Sequence, residues 1–451
     1  MKTLLLNPPP EEIIEPGDAP PYPHIGLGYI AGYLRSKKCQ VDVLDAKLDR
    51  LNSLDVIGAI DDIKPDIIGL TAFTQEIVHV ANIAQELKNR HPHCHIVIGG
   101  IHATVLPSET LKDFPVFDYA IFGEGEITLY ELVKSLENNS PLNEVRGLGF
   151  RNKRDICINE SRPWNSELDK LPFPAWDLFT EAKVYPVITT RGCPFRCIFC
   201  TRPYGSRIRE RSPENVASEV EELVTIYKTK EVVFWDETFG VNKKRAMKIA
   251  DLFIQENMRD RIRWDLHSRV DTVDYELLEK LKKAGCFHVG FGVESGNAKI
   301  LEISMKGITL EKAQEAVKIA KTVGLSTSSY FILGLPYETK KTAWDTINFA
   351  RKLNTNTVSI AIMIPFPKTE IANMVKNGEG GYKQISYDWN DFNKQTGAVI
   401  ELDCMSRKML VFFQILGYLM CYICNFRFRI LYRLVKSRFK QVMVLVRNLF
   451  Q

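Results

Sequence analysis

The sequence predicts an α/β protein: an N-terminal doubly wound parallel sheet, then a partial (βα)6 barrel of the TIM type, then a helical C-terminal tail. Three observations predict it. Short β-rich runs alternate with helix-length segments from residue 2 onward. The alternation stops once, over 145–180, and then resumes. Beyond residue 404 the chain is apolar and basic, without one acidic residue.

In the first unit the runs are 3-TLLLN, 40-QVDVLD, 66-DIIGLTAF, 95-HIVIGG and 118-DYAIFG. Between them lie 26-GLGYIAGYLRSKK, 76-EIVHVANIAQELKNR and 125-GEITLYELVKSLEN. Apolar strands joined by helices pack as a parallel sheet covered on both faces. Such sheets bind ligands at the carboxyl ends of their strands, which here are 7-NPPP, 71-TAFT, 99-GGIH and 123-GEGE. The segment 146-RGLGFRNKRDICINESRP predicts a β-hairpin, and 170-KLPFPAWDLF a proline-spaced linker. The second series is 186-PVITTR, 231-EVVFWDE, 262-IRWDLHSR, 287-FHVGFGVES, 326-STSSYFILGLP and 355-TNTVSIAIMIP. Six βα units are too few for a closed eight-fold barrel and predict an open one, with its chemistry at the strand C-termini. The expected domains are 1–140, a hairpin and linker over 141–180, the barrel over 181–370, and an extension over 371–451.

Of the 451 residues, 45% are hydrophobic and 25% charged, ordinary values for a soluble chain with a sizeable core. The opening 1-MKTLLLNPPPEE is too briefly apolar for a signal peptide and reads as a first buried strand of a cytoplasmic protein. The net charge of +4 conceals an uneven distribution. Nine Lys/Arg lie in 404–451, so the rest of the chain carries −5, which argues against a nucleic-acid-binding surface.

Ten cysteines are scattered except for three in 191-RGCPFRCIFCTRP, at Cys193, Cys197 and Cys200. Clustered cysteines in a reducing compartment bind metal more often than they pair. A structural zinc or a closed iron–sulfur cluster takes four protein ligands, and here there are three. Three thiolates can hold three irons of a 4Fe-4S cube and leave the fourth open to a small chelating ligand. The other readings are zinc completed by a distant residue and chance clustering of core cysteines. Pro194, Phe195 and Phe199 would shield a cluster from water.

This C-x3-C-x2-C run, following the first strand of a (βα)6 unit, resembles the radical S-adenosylmethionine (SAM) superfamily. The resemblance implies that the open iron binds the methionine end of SAM and that one electron cleaves it to a 5′-deoxyadenosyl radical. It places Phe199 beside SAM and Asp236 or Glu237, in 234-FWDETF, on the methionine ammonium. Arg269 would meet the carboxylate, Glu294 and Ser295 of 290-GFGVESG the ribose, and Gly334 of 331-FILGLPYET the adenine.

Together the two units resemble, over roughly residues 1–400, the cobalamin (B12)-binding class of radical SAM enzymes, whose Rossmann-like N-terminal domain holds the corrin. That likeness implies a cobalamin site around Thr71, Phe73, Gly99, Gly100, His102, Gly123 and Glu124. One departure stands out. The class commonly carries D-x-H-x-x-G after the second strand, where the histidine ligates cobalt, whereas this chain reads 45-DAKLDR, with Lys47 in that place. Either cobalt has no side-chain lower ligand or the corrin site has been lost, and the surviving strand-end pieces favour retention.

The class implies a cobalamin-dependent methyltransferase acting on an unactivated carbon, supplied by an external one-electron reductant of the flavodoxin or ferredoxin type. Radical cyclisation, rearrangement or oxidation would use the same cofactors, and a sensor without turnover is the rival from another class. The substrate is a small or lipid-like molecule, the latter suggested by the tail. There, 409-MLVFFQILGYLMCYICN is marginally short for a membrane span, and 426-FRFRILYRLVKSRFKQVMVLVRNLF interleaves cations with apolar residues as interfacial helices do. A helical lid on the barrel is the competing expectation. Cys421 and Cys424 form a CxxC with no second pair and read as neighbours on an apolar helix.

Overall fold

A computed structural model describes residues 1–11, 22–152, 155–393 and 399–437. It divides into two compact units. The first comprises Met1–Pro186 and Arg202–Arg211, the second Val187–Thr201 and the chain from Ser212 onward.

The first unit is a seven-stranded sheet in the order β2-β1-β3-β4-β5-β6-β7. Its strands are β1 (Lys2–Asn7), β2 (Gln40–Asp45), β3 (Ile67–Thr71), β4 (His95–Gly99), β5 (Tyr119–Ile121), β6 (Leu148–Asn152) and β7 (Asp155–Ile158). The first five pair in parallel. Leu4, Leu5 and Leu6 of β1 are all buried because helices cover both faces of a central strand. Each such side chain contributes about 1.5–3 kcal/mol on leaving water. The hairpin β6–β7 joins the sheet antiparallel to β5 and lengthens its edge. The order 2-1-3-4-5 reverses direction between β1 and β3, and the strand ends flanking that reversal are where doubly wound sheets bind ligands.

A six-stranded sheet follows the order of the chain: β8 (Val184–Val187), at whose last residue the second unit begins, then β9 (Glu231–Phe234), β10 (Arg263–Ser268), β11 (Cys286–Glu294), β12 (Ser326–Leu333) and β13 (Thr357–Ile362) within that unit. It is parallel and open, a partial barrel. In β10 the even-numbered Trp264 and Leu266 are buried, and the Trp264 ring meets Phe253 of the helix Lys243–Gln255 at 5.8 Å. Arg263, Asp265 and His267 therefore point to the opposite, concave face.

An open barrel leaves an edge strand with unpaired backbone groups, a liability that must be covered. The helix Arg407–Ile423 covers it with three side chains at successive turns. Gln414 donates to the Ile360 carbonyl (2.8 Å), the Tyr418 hydroxyl accepts from the Ile360 amide (3.1 Å), and the Tyr422 hydroxyl accepts from the Val358 amide (2.9 Å). The apolar run of the tail thus packs on β13. No helix among the described residues is long and apolar enough to cross a membrane. Residues 438–451 of the basic segment lie outside the described residues.

Candidate active site

The cysteine loop leaves a strand end that is locked in place. Asp236, two residues beyond β9, accepts from the Thr189 and Thr190 amides (2.6 and 3.0 Å) and from the Thr189 hydroxyl. Arg245 binds the same Thr189 through its hydroxyl and carbonyl oxygens (3.2 and 2.9 Å). Burial pushes the Asp236 carboxyl upward in pKa, while Thr189 and Arg245 work against it. Both carboxylate oxygens are spent on the loop root. Of the expected acidic pair, Glu237 is the one beside the loop: its charge adds to burial in raising the Cys193 thiol.

Cys193 and Cys197 are half-buried and Cys200 is exposed. The Ile198 amide between them donates to the Ser304 carbonyl (3.2 Å), and the Ile198 carbonyl accepts from the Ile371 amide (3.2 Å). Arg269, just past β10, lies over the Phe195 ring at 3.6 Å, a cation–π contact, and brings Nη1 to 3.8 Å from the Cys197 sulfur. Its other nitrogens grip Asp271 (both 2.8 Å) and the Lys306 carbonyl (2.6 Å). This guanidinium braces the cysteine loop, a role that the resemblance did not imply. Lys306 in turn pairs with Glu294 at 2.8 Å, with both side chains buried. Glu294 holds a left-handed φ of 71°, and a Cβ at Gly292 would sit 2.6 Å from its carboxylate oxygen. Gly292 makes room for the pair.

Among the described residues no three His, Cys, Asp or Glu side chains are gathered as a single metal ion would need. A cube takes one thiolate per corner and does not require them to converge on one point. The donor set fits that group: three thiols on one loop and a cation against one of them.

Ser295 and Gly334 form the walls of neighbouring strand ends. Ser295 is fully buried and hydrogen-bonds the Thr346 hydroxyl (3.1 Å). Gly334, at φ 87°, gives its carbonyl to the Tyr382 hydroxyl (2.8 Å) and its amide to Glu338. Burial pushes the Glu338 carboxyl up to about 8, opposed by the Gly334 and Leu335 amides. Phe199 is half-buried.

On the concave face a polar group emerges that the sequence reading did not single out. Asp265 Oδ2 lies 3.8 Å from His288 Nδ1, and His288 Nε2 meets the Ser328 hydroxyl at 2.7 Å. Burial pushes the Asp265 carboxyl up to about 7, helped by Glu231 and opposed by Arg263. Burial takes His288 down to about 4, with His267 pushing the same way. His267 itself stacks on Tyr330, centroids 5.4 Å apart and 6° from parallel. A carboxyl that carries a proton near neutrality beside a neutral imidazole can donate or hold a proton.

In the first unit, Thr71, Phe73, Gly99 and Gly100 come together at the ends of β3 and β4 beside the sheet reversal. A Cβ at Gly100 (φ 87°) would lie 2.7–2.8 Å from Thr71 Oγ1 and from the Ala72 amide nitrogen and oxygen, so the two strand ends touch through bare backbone. A Cβ at Gly99 would meet only the Leu70 oxygen, at 3.8 Å, and Phe73 is about half exposed. A backbone floor with an aromatic ring at its rim fits a flat macrocycle. His102 lies beneath this floor, buried, with burial lowering it to about 4 and its amide on the Ala72 carbonyl (3.3 Å). Gly123 takes φ 82° and donates to the Thr104 hydroxyl (3.2 Å). Glu124 is turned to protein partners, Arg209 (2.7 Å) and the Asn165 amide (2.9 Å). Lys47 pairs with Glu76 at 2.5 Å. An ammonium so held offers no lone pair to a metal.

Comparison with known proteins agrees with both halves. The radical SAM superfamily model matches residues 187–350, and the B12 binding domain model matches residues 19–133. An uncharacterised methyltransferase of Pyrococcus horikoshii is 36% identical over 380 residues, covering 82% of each chain. The anaerobic magnesium-protoporphyrin IX monomethyl ester cyclase of Rubrivivax gelatinosus is 28% identical over 407 residues, 86% of this chain and 72% of the cyclase. Among solved structures, the radical SAM methyltransferase TsrM of Kitasatospora setae, with cobalamin and a 4Fe-4S cluster bound, superposes with a TM-score of 0.72 at 20% identity. The match covers 86% of this chain and 81% of that one.

Proposed function

Because the chain belongs to the radical SAM enzymes that carry a cobalamin-binding domain, we propose that it transfers a methyl group to an unactivated carbon of a small or lipid-like substrate. The observation that carries the reading is the cysteine loop, with three thiols in eight residues, no fourth, and Arg269 braced against Cys197. Cys193, Cys197 and Cys200 would hold the cluster, and the strand ends at Thr71–Phe73 and Gly99–Gly100 would hold the corrin. When bound, the cluster supplies an electron that cleaves SAM to a hydrogen-abstracting carbon radical, and the corrin supplies the methyl group.

The chain's own residues bind, orient and shield. Asp236 is committed to Thr189, and Glu237, whose charge reaches Cys193, would face an ammonium at the loop. Phe195 and Phe199, two residues to either side of Cys197, would shield a bound cluster from water. Arg269 positions the loop through Phe195 and Lys306. Asp265 holds a proton on the concave face, where it can be passed to a polar group of the substrate. Lys47, paired with Glu76, would offer no lone pair to a bound cobalt. The reading places the protein in the cytoplasm, with a flavodoxin- or ferredoxin-type reductant.

A cyclisation is the second reading, favoured by the similarity to the cyclase. The two separate in one experiment: anaerobic incubation of the reduced, cofactor-loaded protein with SAM and analysis of the products. Methyl transfer predicts 5′-deoxyadenosine and S-adenosylhomocysteine together. Deoxyadenosine alone would favour the cyclisation, and neither product would refute radical chemistry in this chain.

A further inference from the structure

The C-terminal helix Arg407–Ile423 is apolar on both faces: Leu410, Val411, Phe413 and Cys421 are buried along with Gln414 and Tyr422. Its hydrogen-bonding residues Gln414, Tyr418 and Tyr422 point at β13. Its outward stripe is Phe412, Leu419 and Ile423, 51%, 39% and 43% exposed. A surface helix of a soluble protein sets charged and polar residues on its outward face, where this one shows a stripe of large apolar side chains. The chain then turns through Phe426, which is 83% exposed, into the helix Phe428–Ser437. There Phe428, Tyr432 and Val435, spaced i, i+4, i+7, are all exposed, and Arg429, Arg433 and Lys436 repeat the same spacing one residue on. An apolar stripe and a cationic stripe thus run side by side. Arg427 is excluded from the second, since its guanidinium is bound to the Asn354 and Thr355 carbonyls.

We infer that this face docks on an anionic lipid bilayer, with the aromatic and aliphatic stripe in the headgroup–acyl boundary and the three cations on lipid phosphates. Two signals, apolar area and clustered positive charge, are what reversible interfacial attachment requires. Charge selects this occupant over a second copy of the chain. The last 48 residues hold nine cations and no acid, so a two-fold dimer through this face would set like charge against like. The remainder of the chain carries −5, so the net positive charge belongs to the tail.

The test is co-sedimentation of the full cofactor-loaded chain with vesicles of phosphatidylcholine alone and with about one third phosphatidylglycerol. The wild type binds the anionic vesicles, and added salt weakens binding as exposed charges are screened. The variant Arg429→Gln/Arg433→Gln/Lys436→Gln binds roughly a hundredfold more weakly, at about a factor of five per cation. Phe412→Ser/Leu419→Ser/Ile423→Ser lowers binding severalfold while its circular dichroism matches wild type, these positions being exposed. Three results would overturn the inference: equal partition to neutral and anionic vesicles, binding that appears only after residues 438–451 are removed, or a wild-type dimer that the serine variant dissociates.

Discussion

Replacing Lys306 by methionine removes a buried cation and keeps most of its volume. Glu294, nearly as buried as its partner, then holds a carboxylate 2.8 Å from where the ammonium stood. At an effective dielectric of about 20 the lost attraction is about 6 kcal/mol, an upper bound before solvation is counted. Breaking one side of a buried pair costs about 3–5 kcal/mol net. The prediction is a loss of that size in urea unfolding of the barrel, followed by the fluorescence of the buried Trp264. The double variant Glu294→Gln/Lys306→Met should recover most of it, because the orphaned charge is gone. If the double variant is as unstable as the single one, the pair is not what stabilises this corner, and the route from Lys306 through Arg269 to the cysteine loop loses its anchor.

Gly100→Ala should abolish corrin retention through gel filtration while leaving iron content unchanged, since a Cβ there meets Thr71 and Ala72 at 2.7–2.8 Å and the residue's φ of 87° adds about 1–2 kcal/mol of strain. Asp265 gives a pH signature. Its folded pKa is raised from 3.8 to about 7, so the unfolded chain releases the proton first and stability falls as pH rises between those values, by up to about 4 kcal/mol. Asp265→Asn should flatten that decline in thermal melts at about pH 5 and about pH 8, which span the upper part of that window, and an unchanged slope would refute a protonated Asp265. Tyr422→Phe strips the hydroxyl that serves both the Val358 amide (2.9 Å) and carbonyl (3.1 Å) and should cost about 1–3 kcal/mol in the same urea assay.

The strands were legible because they are apolar runs between helices, and both sheets follow from that alternation. Sheet order was not, because the reversal between β1 and β3 depends on which face each helix crosses, and local sequence does not encode that. Nor did any composition change mark residues 202–211, which cluster with the first unit although they follow the cysteine loop. The three cysteines were legible through their spacing. Arg269 was legible as a site candidate, but its contact with Lys306, 37 residues away, lies beyond local pattern. Asp236 or Glu237 was the expected ammonium contact, and the hydrogen bonds that fill the Asp236 acceptors come from a residue 47 positions earlier, beyond local pattern. The polar alternation in 263-RWDLHS was visible, but on an ordinary sheet it would mean a solvent face. Only the curvature of the partial barrel turns Asp265 and His267 inward. In the tail, polar Gln414, Tyr418 and Tyr422 were hidden by the surrounding apolar residues, although their i, i+4, i+8 spacing is what lets them pair with β13.

Anaerobic reconstitution of the wild type and Cys197→Ala with iron, sulfide and hydroxocobalamin, followed by gel filtration and absorbance of the protein peak, tests the central claim most directly. The wild type should show the broad visible absorbance of a 4Fe-4S cluster and about one corrin per chain, and the variant should lose the cluster and keep the corrin. A wild type that forms the cluster while its corrin elutes free would contradict that claim, because the backbone floor at Gly99 and Gly100 would then hold no cobalamin and the methyl-transfer reading would fall.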